Sequence, residues 1–262
     1  MTQTQHREIP HHADAIFDAH TFTEKDKEQM DRDGHFIFPE LLTPTAREHL
    51  IQSLEHIQSL QSKAVKGHEP NRFSAEYDNH LESLIGHRQM LELVLKVLGP
   101  EIRYDHCVAL NRPGENQGSR WHSHKYAEDD LSLGFIRIFF YVNGFEVDDG
   151  GLKVVPGSHL YHDQEIHADT DEELRTGWMA DKMHPMTGEQ LKIESFSVPP
   201  GTVVLMWTHA AHAVSPRQPE SDTRWTVVYA YRNPGRSSGA RWISEAFERK
   251  QIPGAEGLMS LY

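Results

Sequence analysis

Cysteine is nearly missing from this chain. Cys107 is the single one in 262 residues, which excludes an intramolecular disulfide and fits a reducing cytosol. Basic charge is also scarce: Lys and Arg total 26 against 39 Asp and Glu, a formal charge of −13. That balance argues against a nucleic-acid footprint and against docking on an anionic membrane. It also weighs against a phosphate-rich substrate such as a coenzyme A ester. No apolar run is long enough to span a membrane, and Met1–Pro10 has neither an apolar core nor a basic amphipathic pattern. No internal repeat is visible. The expectation is a soluble cytoplasmic protein, monomer or homodimer, acting on a small molecule. Its length suits one large β-rich domain with a full core.

Histidine is plentiful, with 19 residues. His122 and His124 lie in the string Arg120–Trp121–His122–Ser123–His124–Lys125–Tyr126. On an extended strand, residues i and i+2 share a face, so both imidazoles can converge on one metal ion. His212, in His209–Ala210–Ala211–His212–Ala213–Val214–Ser215–Pro216, supplies a remote third donor. Two ligands on a strand and one distant histidine is the layout of a facial iron site with open positions. The pair alone is a weak signal, because a chain this rich in histidine produces such pairs by chance.

Helical signals come first. Glu24–Arg32 reads as a short helix, followed by a strand at His35–Pro39. Thr43–Pro44 opens a second helix that runs to about Leu60 with an apolar face at Leu50, Leu54 and Ile57. Leu81–Leu98 has helical period and stops at Gly99–Pro100. Strands follow at Ile102–Leu110, Trp121–Lys125, Phe135–Val142, Gly151–Val155, Thr202–Trp207 and Trp225–Tyr231. Helices first and short strands afterwards predict a mainly β protein with flanking helices, two antiparallel sheets forming a double-stranded β-helix, or jelly roll. Residues 1–22 read as a polar arm and 23–262 as a single domain. Within it, Tyr161–Phe196 is an acidic insertion of a length typical of a lid or binding loop.

In this order the motifs resemble the phytanoyl-CoA dioxygenase family of iron(II)/2-oxoglutarate oxygenases, from about Asp33 to Asn233. The carriers are Asp33–Gly34 with its strand, Trp121–His122–Ser123–His124, Gly151–Leu152–Lys153–Val154–Val155–Pro156–Gly157–Ser158–His159, and the Gly201–Trp207 strand leading to His212. The resemblance implies a jelly-roll enzyme that binds iron(II), uses 2-oxoglutarate and O2 as co-substrates, and hydroxylates or otherwise oxidises a small molecule. It implies His122 and His212 as metal ligands, with His209 only flanking. It places Arg224 on the distal carboxylate of 2-oxoglutarate, with Ser215 sharing that carboxylate and Asn111 and Thr226 as further contacts. Arg137, one charge in an otherwise apolar strand, either points to solvent or lies in the pocket and pairs with an anionic substrate.

One position departs from the family. Its usual carboxylate ligand is replaced by His124. Either His124 ligates, giving three neutral imidazoles, or Glu128, Asp129 or Asp130 reaches back instead, or the site is inert. Position, face and donor favour ligation. Two other functions stay open: a three-histidine dioxygenase that needs no 2-oxoglutarate, and a non-catalytic metal or 2-oxoglutarate binding protein.

Overall fold

The computed structural model describes residues 15–61, 64, 66–124, 133–163, 166–236 and 241–260. Helix α1 (Glu24–Asp33) starts at a reciprocal cap: the Thr23 hydroxyl accepts from the Asp26 amide, and the Asp26 carboxylate takes the Thr23 amide at 2.8 Å. Gly34, at φ +90, ends it in the left-handed region and turns the chain into strand β1 (His35–Phe38). Thr43 and Pro44 start α2 (Pro44–Leu60) as their chemistry predicts, and the helix buries Leu50, Leu54 and Ile57.

The single helix expected over Leu81–Leu98 is broken. After α3 (Ser74–Tyr77) come α4 (Asn79–Ser83), a 3-10 turn at Leu84–Gly86 and then α5 (Arg88–Leu98). Gly86 sits where the C-terminal segment crosses: a Cβ there would lie 2.5 Å from the backbone carbon of Gly254. Gly86→Ala is therefore expected to lower stability by about 1–3 kcal/mol, the usual cost of overpacking, measured by denaturant unfolding.

The strands are β2 (Arg103–Ala109), β3 (Ser119–His122), β4 (Phe135–Tyr141), β5 (Leu152–Val154), β6 (His167–Ala168), β7 (Glu194–Ser195), β8 (Thr202–Trp207), β9 (His212–Val214) and β10 (Thr226–Arg232), with short helices α6 (Asp171–Thr176) and α7 (Glu245–Glu248). They form two antiparallel five-stranded sheets, ordered β1-β8-β4-β10-β2 and β6-β3-β9-β5-β7. This is the expected jelly roll with helices outside.

Alternation along the first sheet separates two environments. Ile136, Ile138, Phe140, Val227, Tyr229 and Tyr231 face the helices and join the main core. The Tyr229 and Tyr231 hydroxyls donate to the Leu81 and Ile85 carbonyls, both at 2.8 Å, and peg the helical layer to the sheet. The other face turns Phe139, Tyr141, Val204, Met206 and Val228 toward Leu152 and Val154 of the second sheet. The site lies along this inner face.

Two expectations change. The polar arm ends earlier than residue 22: Ile16 and Phe17 are core residues, and both their amides donate to the Gln89 side chain. Residues 1–14 of that arm lie outside the described residues. The segment 161–196 is also more than a loop between strands. It supplies β6 and β7 as the edges of the second sheet, and Leu174, Met179 and Leu191 pack with Trp121, Ala211 and Ala213 on that sheet's outer face. Its apolar residues anchor it there as an extra layer. Among the described residues, no helix is long and apolar enough to cross a membrane.

Candidate metal centre and co-substrate site

β3 and β9 are neighbours in the second sheet, and the register sets His122 opposite His212 with ring centroids 4.2 Å apart. Both rings are fixed by the backbone. His122 Nδ1 lies 2.8 Å from the Arg120 carbonyl, and His212 Nδ1 lies 2.9 Å from that of Ala210. A carbonyl can only accept, so each Nδ1 carries the proton and each Nε2 keeps its lone pair. His124 closes the group, its ring centroid 5.0 Å from His122 and 5.1 Å from His212. One donor atom from each of the three lies within 4.8 Å of the others. Small ring rotations bring such a group onto one ion, given metal–imidazole bonds of about 2.1 Å.

Electrostatics keep the group ready to ligate. Burial is the largest cause lowering the pKa of all three imidazoles, and the Arg137 charge adds to it. The effect is strongest at His124 and His212. Neutral rings present lone pairs without first losing a proton. The three-member cluster contains no carboxylate. Glu128, Asp129 and Asp130, the alternative acidic ligands, lie outside the described residues. His209 is not in the cluster; it sits beside His162, ring centroids 5.4 Å apart, with its pKa lowered to about 4 by burial.

Arg137 does not reach solvent. It is 5 % exposed, in register between Ala230 and Met206, and so on the inner face of the first sheet. This closes the solvent alternative.

Arg224 lies just before β10, its backbone bridged to Arg112 by hydrogen bonds of 3.0 and 2.8 Å. The guanidinium is 1 % exposed and held between the rings of Tyr141 and Phe145, 5.5 and 5.6 Å from their centroids, while Nη1 donates to the Gly150 carbonyl. Burial lowers its pKa to about 10. Asp149 is near, but its ion pair is with Arg217, at 3.0 Å. Among the described residues Arg224 Nε has no hydrogen-bond partner, and neither has the buried hydroxyl of Thr226, two residues along the same face. Unsatisfied buried donors need an explanation, and a bound carboxylate satisfies both. The donor set fits iron and 2-oxoglutarate together: three lone pairs for the metal, and beyond them a dry guanidinium and a hydroxyl for the distal carboxylate.

Two expected contacts have their side-chain donors engaged by backbone carbonyls. The Ser215 hydroxyl donates to the Val147 carbonyl at 2.9 Å, so its proton is already committed. Asn111 turns to the helical side, where its amide donates to the Leu54 carbonyl of α2. Two residues that sequence reasoning missed stand nearer. Arg112, read only as part of an Asn–Arg–Pro–Gly turn, acts electrostatically on both His122 and His212. Tyr141 packs on Arg224 and ends the alternating row Phe135, Arg137, Phe139, Tyr141; that alternation with Arg137 was the available signal.

Known proteins share this architecture. The carbocyclase SnoK, described as non-heme and alpha-ketoglutarate-dependent and from nogalamycin biosynthesis, superposes with a TM-score of 0.65 at 15% identity, covering 88% of this chain and 92% of its own. EctD from S. alaskensis, solved with bound Fe, gives 0.62 at 14% identity over 86% and 84%. HygX from Streptomyces hygroscopicus, with nickel and 2-oxoglutarate bound, gives 0.59 at 15% identity over 80% and 87%. At such identities the likeness is one of fold. No match was found among curated protein sequences. The sequence model of the phytanoyl-CoA dioxygenase (PhyH) family matches residues 18–220, a span that holds all three histidines and stops short of Arg224. By that match the chain belongs to the phytanoyl-CoA dioxygenase family of non-haem iron, 2-oxoglutarate-dependent oxygenases.

Proposed function

We propose that this protein catalyses the iron(II)- and 2-oxoglutarate-dependent oxidation of a small molecule, hydroxylation being the simplest outcome, at a centre of three histidines. The observation that carries this is the convergence of His122, His124 and His212, in a fold that also buries an arginine, Arg224, with no ion pair among the described residues. His122, His124 and His212 would hold the metal through lone pairs already freed of protons. Arg224 would anchor the distal carboxylate of 2-oxoglutarate, with Thr226 donating a second hydrogen bond. Bound together, iron and 2-oxoglutarate supply oxygen activation coupled to oxidative decarboxylation. The chain's own part is to orient that pair and to keep the inner face dry. Arg137, buried beside the histidines, supports a role next to the reacting atoms, where its charge favours an anionic or electron-rich group.

The net negative charge, and the place of SnoK in nogalamycin biosynthesis, support a metabolite substrate over an acyl coenzyme A. Among the described residues the histidine cluster holds no carboxylate, which supports a second reading, a dioxygenase that binds its substrate directly on a three-histidine metal. Succinate separates the two. Protein loaded with iron(II) and given 2-oxoglutarate in air is expected to release succinate slowly even without its substrate. Oxygen uptake with no succinate would favour the second reading, and neither would leave a binding protein. In the same samples His209→Ala is expected to bind iron(II) within about twofold of wild type, because His209 lies outside the cluster.

A further inference from the structure

The inner face of the first sheet carries a second set of polar groups, at the end away from Arg224. Ala230 lies opposite His106 on β2 and opposite Arg137 on β4, so the three form one row. Ala230 is six positions along the chain from Arg224, about 20 Å of extended strand.

Regular pairing from Ala109 to His106 places His106 in this row: Cys107 faces the helical core, so alternation turns His106 inward. The register then slips from Ala230↔His106 to Tyr231↔Tyr104, which leaves Asp105 as an extra residue and returns Tyr104 to the helical core. Asp105 and His106 are fully buried, and Asp105 Oδ1 takes the Nδ1 proton of His106 at 2.6 Å. With Nδ1 so occupied, Nε2 carries a lone pair, and among the described residues it has no partner. Its surroundings are aromatic: Trp242 at 5.2 Å and Phe135 at 6.5 Å between centroids. A buried acceptor left unsatisfied among aromatic rings is costly unless a ligand supplies the donor. A neutral hydroxyl is the simplest group that supplies such a donor.

We infer that His106, set by Asp105, is a specificity-determining residue of the substrate side: its Nε2 accepts a hydrogen bond from a substrate hydroxyl whose apolar or aromatic body rests on Phe135 and Trp242. The inference rests on the oxygenase reading and names its substrate class as hydroxylated and apolar-bodied. It places substrate at this end of the inner face, with co-substrate at the Arg224 end.

The test uses phenol and toluene as probes on protein loaded with iron(II) and 2-oxoglutarate under anaerobic conditions, with binding followed by ligand-observed NMR. Wild type is expected to prefer phenol by about tenfold, the worth of one hydrogen bond in a dry site. His106→Phe keeps the ring and removes the acceptor, and should abolish the preference. His106→Gln, whose amide oxygen accepts, should retain most of it. Equal binding of the two probes to wild type overturns the inference without any variant, as does an undiminished preference in His106→Phe. Iron(II) and 2-oxoglutarate titrations on the same samples keep the two failures apart. Intact titrations with no phenol preference sink the His106 assignment alone, while a wild type that binds neither sinks the oxygenase reading and this inference with it.

Discussion

Arg224→Ala is expected to weaken 2-oxoglutarate binding by about 2–5 kcal/mol, the range for truncating one partner of a buried charge pair. At the lower end that is about thirtyfold in Kd. The size follows from where the guanidinium sits. It is almost wholly excluded from water, clamped by Tyr141 and Phe145, and tied to the Gly150 carbonyl at one nitrogen only. A carboxylate arriving there meets donors that have paid their ordering cost in advance. Arg224→Lys should recover only part of the loss, since an ammonium cannot present a planar fork. Iron(II) affinity is the control: among the described residues the contacts of Arg224 are with Gly150, Tyr141, Phe145 and Arg112 rather than the histidines, so metal binding should hold in both variants. Calorimetry showing wild-type affinity for 2-oxoglutarate in Arg224→Ala would reject the anchor.

His212→Ala and His122→Ala are each expected to cost at least about 100-fold in iron(II) affinity, more than the loss of a group that merely supports a ligand. The two rings face each other across the β3–β9 pair, each oriented by its own backbone carbonyl, so neither can move to cover for the other. Anaerobic iron titration with circular dichroism on the same samples separates lost metal from lost fold. Tight binding surviving in His212→Ala would move the distal ligand elsewhere.

Strand alternation made much of this legible. In β10 the sequence puts Arg224, Thr226, Val228 and Ala230 on one face, and the packing agrees: Val227, Tyr229 and Tyr231 go to the helical core, Val228 to the inner one. The same alternation made His122 and His124 a pair, and His212 followed from the family motif. What alternation could not carry was a change of phase. The bulge at Asp105 shifts the phase at the start of β2 and sends Tyr104 to the helical core, whereas plain alternation from Ala109 and Cys107 already sets His106 inward. Asn111 failed for a related reason: Leu110 packs on the inner core, so its neighbour faces α2. The break at Leu84–Gly86 was hidden because its cause, the backbone at Gly254, lies far along the chain. Arg137 is a subtler case, since a lone charge in an apolar strand tells that something is unusual without telling on which side.

His124 gives the account its particular character. An imidazole in place of a carboxylate leaves the centre one unit more positive, which favours the dianionic co-substrate. His124→Asp should therefore keep iron(II) while weakening 2-oxoglutarate, a combination opposite to that of His212→Ala.

The most direct test is an anaerobic crystal structure with iron(II) and 2-oxoglutarate bound. The account predicts nitrogen ligands from His122, His124 and His212, with 2-oxoglutarate completing the sphere and its distal carboxylate on Arg224. His124 turned from the metal, with Glu128, Asp129 or Asp130 coordinated in its place, would contradict it.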